Sequence, residues 1–354
     1  MSISTTVQAN RVEMRVFRRP DCPLCGAQGR PLYKGLKDRL YGVVGSWSMS
    51  ECPERKCGLI WLDSTPIEED LGVAYQSYYT HRPTVATSRS LRHRIGTAVS
   101  MGYLRIALGY THGVGPRWYG MLAPLAHLQR GGAEAVAASV AFQGMPGPGG
   151  KLLDIGCGNG LLMERMRDLG WEVEGIDFDA GAVAAARNRG LRAHHGRIVE
   201  VVLPNASFDL VHLGHVIEHV HEPVDLLRRC HRILKPGGRL VVITPNSGGW
   251  GHRHFGPDWR GLEPPRHLAI FNRPALHWLL ATAGFNGANE VRTLHKGAGY
   301  ILTSSAMLRN LGTERDSGHI GWRLCTNFNQ LWGRILGLVG DDLGEELLGV
   351  ARKN

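Results

Sequence analysis

The chain has 354 residues, 43% hydrophobic and 20% charged, with 41 basic against 31 acidic residues and a formal net charge of +10. That length exceeds one ordinary domain and carries ample core, which excludes a disordered or low-complexity chain. The basic excess favours anionic partners such as nucleic acid, a membrane surface or a phosphorylated substrate, and names none of them.

No run of 18 apolar residues occurs, so no membrane span is expected. Residues 1–10 lack the apolar block of a secretory signal, and the expected compartment is the cytoplasm. Seven cysteines, four grouped early and three scattered, agree with reducing surroundings.

Cys22-Pro-Leu-Cys25-Gly26 and Cys52-Pro-Glu-Arg-Lys-Cys57-Gly58 read as two knuckles. Each turns N–H groups toward thiolate sulfur, and four thiolates complete a tetrahedral zinc with no open position, hence a structural one. The second pair is wider than usual. Two disulfides, disfavoured by a reducing cytosol, and a knuckle fold that keeps its cysteines without metal are the alternatives. Leu59–Asp63 reads as a strand that Pro66 ends, and residues 1–64 form a zinc-ribbon-like module.

Residues 65–148 are expected to be a helical cap or linker. Glu68-Glu69-Asp70-Leu71 opens a helix, followed by Tyr75, Tyr78 and Tyr79. Basic positions follow at His81-Arg82, Arg89, Arg92-His93-Arg94, Arg105 and Arg117. Short helices here either cap a substrate pocket or pack on the catalytic domain without touching substrate. Gly144–Gly150 is a breaker-rich hinge.

Residues 149–354 alternate strand and helix. Leu152, Leu153 and Ile155 form a buried parallel strand, and Gly156, Gly158 and Gly160 crowd the turn into a helix over Leu161–Arg167. Such a turn brings a ligand to the N–H groups at a helix N-terminus. The glycines fall as G-x-G-x-G, not the G-x-G-x-x-G of a dinucleotide fold, since Leu161 takes the sixth place. A second strand, Trp171–Ile176, ends at Asp177, whose carboxylate suits the two hydroxyls of a ribose. Strands then follow at 191–195, 208–213 and 239–244, with helices at 180–189, 222–234 and 273–283. The last strands are 288–294 and 346–351. The result is an α/β fold with a parallel sheet and helices on both faces, its ligands at the carboxyl ends of the strands.

Leu-Asp-Ile-Gly-Cys-Gly-Asn-Gly followed by Gly-Ile-Asp-Phe-Asp resembles the S-adenosylmethionine-dependent methyltransferases of the Rossmann-like class. Phe208–Val211, Val216-Ile217-Glu218-His219-Val220 and Leu234–Gly238 are similar to the ubiquinone-biosynthesis O-methyltransferases within that class. The front end and Pro264–Leu268 resemble a bacterial subgroup with a cysteine-knuckle N-terminus, often found in polysaccharide or secondary-metabolite pathways. The resemblance implies S-adenosylmethionine held by Asp154, Gly156, Cys157, Gly158, Asn159, Gly160, Asp177, Phe178, Ile198 and His215. It departs after the third strand, where an acid or small polar residue usually addresses the adenine amino group. Arg197 cannot accept that bond, which leaves backbone near Ile198, or Glu200.

Methyl transfer needs alignment and a base, for which imidazole is suited. The candidates are His267, fixed by Pro264-Pro265, and the pair Glu218 and His219, which with His215 share a face if a helix starts near 215. In the ubiquinone group the corresponding acids and His can bind a divalent metal, and here His215 replaces one acid. His267 is the preferred base, with structural anchoring of its segment as the equal rival role. The aromatic and basic segment Trp250–Arg260 is placed over the acceptor, with His252 and His254 as solvated loop residues. Cys230 and Cys325 are expected in the core. Ile320, Leu324, Phe328, Leu331, Ile335 and Leu338 recur at helical spacing, which reads as a helix covering the core or a homodimer face, with peripheral membrane contact as the minority reading.

The function expected is methyl transfer, to oxygen in preference, on a small-molecule or glycan acceptor. The alternatives are a zinc-ribbon RNA methyltransferase, motivated by the charge, and a cofactor-binding partner subunit without chemistry.

Overall fold

The structure, a computed structural model, describes residues 14–75, 90–128, 132–147, 149–287, 289–311, 320–340 and 342–354. The expectations for Tyr78, Tyr79, His81, Arg82 and Arg89 fall outside those residues. In chain order the front end supplies β1 (Val16–Arg18), β2 (Arg30–Leu36), β3 (Trp47–Glu51), β4 (Ile60–Leu62) and β5 (Ser64–Pro66). A 3-10 segment over Glu68–Tyr75, α1 (Leu91–Leu108), a 3-10 segment over Arg117–Leu128 and α2 (Gly132–Ala138) follow. Then come β6 (Lys151–Ile155), α3 (Leu161–Asp168), β7 (Glu172–Asp177), α4 (Ala180–Asn188), β8 (Arg192–His195) and β9 (Phe208–Gly214). The remainder is α5 (Pro223–Ile233), β10 (Leu234–Pro245), α6 (Trp250–Phe255), β11 (Ala269–Ile270), α7 (Arg273–Thr282), β12 (Glu290–Leu294), α8 (Ala298–Leu311), α9 (Ile320–Val339) and β13 (Glu346–Arg352).

The main sheet has the order β12-β13-β10-β9-β6-β7-β8. Strands β10, β9, β6, β7 and β8 are parallel, and β13 runs antiparallel between β10 and β12. Leu152 and Leu153 are fully buried on opposite faces of β6, as a strand covered on both sides requires. Pro223 opens α5, and Leu226, Leu227, Cys230 and Ile233 bury one face of it. β10 takes Lys235–Gly238 into the strand through a register shift between Leu234 and Arg239, where the sequence suggested a separate turn.

Four details differ from the sequence reading. The strand expected to run on to Pro66 ends at Leu62, and Pro66 is instead the last residue of β5, paired with β1 at an edge, where a missing N–H is harmless. The cap holds one long helix, α1, of 18 residues, capped by Ser90 and Gly109, and not only short ones. Cys325 is exposed, whereas Cys230 is buried. The apolar stripe of α9 does not cover the core: Leu324, Phe328, Leu331 and Leu338 are exposed.

The cysteine module shares its sheet with the far end of the chain. Its strands have the order β11-β4-β3-β2, with Ala269 opposite Trp61 and Ile270 opposite Ile60. Cys22, Cys57, Leu59 and Trp61 belong to the same buried cluster as Leu153, Leu213, Phe271 and Leu276.

Candidate functional site

The glycine turn begins where β6 ends. Gly156 and Cys157 donate to Ile176 O at 2.8 and 3.1 Å, which fixes the turn to β7. Gly156 has φ of 73° and a Cβ there would meet Val216 at 2.4 Å, so only glycine fits. Asp177 accepts Gly158 N–H at 2.8 Å on one carboxylate oxygen and Asp179 N–H at 2.9 Å on the other. Burial pushes its carboxyl up, and those two N–H groups work against that rise. Asn159 lies in the same turn, with Phe178 exposed beyond Asp177 and edge-on to Tyr75 at 5.2 Å. The Cys157 thiol is buried and pushed up by that burial, as an inert core thiol is.

Ile198 is buried beside this edge. Glu200 is committed to Arg197, accepting from its backbone N–H and its guanidinium at 2.9 and 2.8 Å, and Arg197 also pairs with Glu68. Of the two sequence-derived candidates for the adenine contact, Glu200 is thus engaged and backbone near Ile198 is left. Asp154 lies under the turn, with Oδ1 2.8 Å from His212 Nδ1. His212 was not singled out from the sequence, where it stands as one polar residue in an apolar strand. A cavity of about 1,110 Å³ opens over Gly214 and His215, between α1 and α3, with Lys296 in its wall.

A second cluster adjoins it. The helix expected from 215 is a 3-10 turn over Ile217–His219, and His215 itself sits at φ of 56°. His215 Nε2 lies 2.9 Å from Glu346 and its Nδ1 3.3 Å from Glu218 Oε1. Burial opposes its cation, and the two carboxylates outweigh that and carry it up to about 9. Burial also opposes the Glu218 anion, and the neighbouring imidazoles of His215 and His219 hold its pKa down to about 2. Glu346 is held at about 2 against burial by Lys296 and His215.

Leu268 N donates to Glu218 O at 2.7 Å, which brings the Pro264–Leu268 segment onto this turn. The rings of His219 and His267 lie 4.8 Å apart. His267 Nδ1 faces Gly261 O at 2.7 Å, and His219 Nδ1 faces Arg266 O at 3.0 Å. A carbonyl only accepts, so the His267 ring carries its proton on Nδ1 and keeps the Nε2 lone pair, whereas His219 Nδ1 lies between Arg266 O and the Tyr75 hydroxyl at 2.9 Å, which can donate to it. Glu218 Oε1 is buried without a hydrogen bond among the described residues. Ligand atoms of Glu218, His219 and His267 lie within 4.8 Å of one another, a donor set that fits a divalent ion with each imidazole oriented by a backbone carbonyl. Burial drives His267 down to about 4, so the ring is neutral near pH 7.

Residues around His267 are fully committed. Arg266, fully buried, donates to both Asp38 oxygens at 2.9 Å and to Glu263 at 2.8 Å. The segment Trp250–Arg260 is not an open loop: Glu345 accepts from Gly251 N at 2.7 Å and Trp259 Nε1 at 2.9 Å. His252, expected in solvent, is clamped between Ser247 O at 2.7 Å and Tyr33 Oη at 3.0 Å. Sequence reading assigns no role to Asp38, Glu263, Lys296 or Glu346 and names Arg266 only within Pro264–Leu268.

The four knuckle cysteines converge. Cys22 and Cys57 sulfurs are 3.7 Å apart, Cys25 and Cys52 3.4 Å apart, and all four lie within 4.8 Å. Tetrahedral Zn–S bonds of about 2.3 Å need sulfur separations of roughly 3.8 Å, so the donor set fits zinc. It does not fit two disulfides as it stands, since bonded sulfurs lie at about 2.05 Å.

Residues 127–290 match the family described as a methyltransferase domain. That stretch, just under half of the chain, is similar to a methyltransferase domain and includes most of the Rossmann-like, mostly parallel sheet. The domain is 36% identical over 153 residues to a probable S-adenosylmethionine-dependent methyltransferase of Mycolicibacterium smegmatis, covering 43% of this chain and 57% of that protein. It is 37% identical over 140 residues to a ubiquinone biosynthesis O-methyltransferase of Xanthomonas campestris, covering 37% and 56%. The chain thus spans about half the length of the curated relatives it matches. A crystal structure of an S-adenosylmethionine-dependent methyltransferase from Archaeoglobus fulgidus aligns at 20% identity with a TM-score of 0.42, covering 66% of this chain and all of that one.

Proposed function

We propose that the protein transfers the methyl group of S-adenosylmethionine to a hydroxyl of a small-molecule or glycan acceptor. The observation that carries this reading is the juxtaposition of a glycine turn closed by Asp177 with a buried Glu218–His219–His267 cluster at the same sheet edge. The acceptor oxygen forms its bond to the methyl carbon as the sulfur–methyl bond breaks, and that electron pair stays on sulfur. The acceptor proton goes to an imidazole. His267 is the base favoured by sequence, but its ring is 6% exposed and held neutral with its pKa at about 4, which makes a weak acceptor of protons. His219, at 17% exposure, is the better-placed ring, with Glu218 and His267 as its positioning neighbours. His215 stays cationic at neutral pH and suits binding rather than proton uptake. A divalent ion held by Glu218, His219 and His267 would instead occupy the His219 nitrogen and acidify the acceptor hydroxyl itself, replacing the imidazole as proton acceptor. Zinc held by Cys22, Cys25, Cys52 and Cys57 would be structural.

The test is a methyl-transfer screen with isotopically labelled S-adenosylmethionine on fractionated small molecules and glycans. Label should pass to a product with wild-type protein, and His219→Ala should lower the rate by roughly 10²–10⁴-fold. Cofactor binding without transfer to any fraction would favour the partner-subunit alternative.

A further inference from the structure

Helix α9 is built inside out. Apart from the buried Leu336, the side chains it turns fully toward the protein are small or polar: Thr326 and Gln330 are buried, and Gly333 lies against Ala298. They are also specifically held. Gln330 Nε2 donates to His295 O at 2.7 Å, its Oε1 accepts Gly299 N–H at 3.0 Å, and Asn329 donates to Thr303 Oγ1 at 2.9 Å. The large apolar side chains point the other way. Leu324, Phe328, Leu331, Ile335 and Leu338 are 41–88% exposed, at spacings of four, three, four and three residues along one stripe. A surface helix ordinarily buries that stripe and shows its polar side. Isolated exposed apolar residues are common; a stripe of roughly 20 Å on a helix fixed by hydrogen bonds is an interaction surface.

The neighbouring 3-10 segment, Arg117–Leu128, adds exposed Trp118, Met121 and Leu128. It leads into α2, and the Arg334 guanidinium of α9 lies against Gly132 at the start of that helix.

Charge selects the occupant. Residues 317–340 contain Arg323 and Arg334 and no Asp or Glu. The described residues 90–128 again contain no Asp or Glu, and Arg94 and Arg117 there are exposed. A second copy docked by two-fold symmetry would bring these cationic surfaces together with no acid on the stripe to answer them. An anionic bilayer answers both features, since its acyl boundary takes the apolar stripe and its phosphates take the arginines. No helix of the described residues is long and apolar enough to cross a membrane, so the helix would lie in the surface.

We propose that α9, with the Arg117–Leu128 segment beside it, is a docking surface for an anionic lipid membrane. This surface is independent of whether methyl transfer goes to oxygen.

The experiment is flotation of the full-length protein with vesicles of phosphatidylcholine alone or of equal parts phosphatidylcholine and phosphatidylglycerol. Binding should be strong on the anionic vesicles, weak on the neutral ones, and reduced by salt. Phe328→Ser with Leu331→Ser should weaken binding more than tenfold. Arg323→Gln should weaken it about fivefold on anionic vesicles only. Both variants alter exposed side chains, and unchanged circular dichroism would show that the fold is kept. If the serine pair does not fold, Arg323→Gln and the contrast between vesicles still decide. Absence of flotation overturns the proposal. So does a wild-type dimer in analytical ultracentrifugation that fails to float and that the serine pair turns into a monomer, because a second copy would then own the surface.

Discussion

Asp177 closes the turn by accepting the Gly158 and Asp179 N–H groups, and we propose that the same carboxylate also takes the hydroxyls of a ribose. Asp177→Ala should therefore abolish most of the rise in melting temperature that S-adenosylmethionine gives, and should also lower the melting temperature without ligand. An intact ligand-induced rise would refute the ribose assignment. His215 gives a second residue-scale prediction. Its folded pKa of about 9 lies above the unfolded value of about 6.5. Its stabilisation is thus complete below pH 6.5 and is lost as pH rises through 9. Glu345 behaves differently: burial carries its carboxyl up to about 7, so stability falls between about pH 4.5 and 7 as the folded protein is forced to ionise it. Thermal melts across pH should show both falls. His215→Gln should remove only the upper one, and Glu345→Gln only the lower.

At the scale of elements, the cysteine module and the Glu218–His219–His267 cluster are joined by β11 and by the Asp38–Arg266 pair. Asp38 lies in the loop after β2, and Arg266 immediately precedes His267. Asp38→Ala would remove two charge-assisted hydrogen bonds and leave Glu263 as the carboxylate answering Arg266, so it should cost about 1.5–3 kcal/mol in denaturant unfolding. Hydrogen exchange at residues 264–271 should rise in the same variant. Little of this was legible beforehand, for a physical reason. The strands and helices of 151–245 announce themselves locally, since Leu152-Leu153, Leu210-Val211 and Leu240-Val241-Val242 are buried runs bounded by glycine or proline turns. The two residues of β11 pair with β4 from the opposite end of the chain, and Asp38 meets Arg266 across 228 positions, so neither leaves a local pattern. Periodicity likewise marked the stripe on α9 but carries no sign, and only the packing of Gln330 and Thr326 shows that the stripe faces outward. Glu218, His219 and His267 were legible as chemistry from residue type, while their contact depends on the Leu268–Glu218 backbone bond.

At the scale of the whole molecule, the consequence is cooperativity. A separate ribbon on a linker would melt by itself and leave the cofactor site intact. Here Cys22, Cys57 and Trp61 share one buried cluster with Leu153, Leu213 and Leu276, and the ribbon sheet is completed by β11 beside the site. Contacts of that extent couple the unfolding of the two parts. The four sulfurs fit one zinc, and a metal that binds the folded state alone adds its binding free energy to that common unit. Calorimetry of protein purified without chelator should show one transition for ribbon and methyltransferase domain, with one zinc per chain by elemental analysis. Chelation, or Cys52→Ser, should lower that single transition and also weaken S-adenosylmethionine binding, because the β11 segment that carries His267 loses its partner strand. Two separate transitions, with cofactor affinity unchanged after chelation, would show that the ribbon is an independent appendage and that the shared core does not couple it to the site.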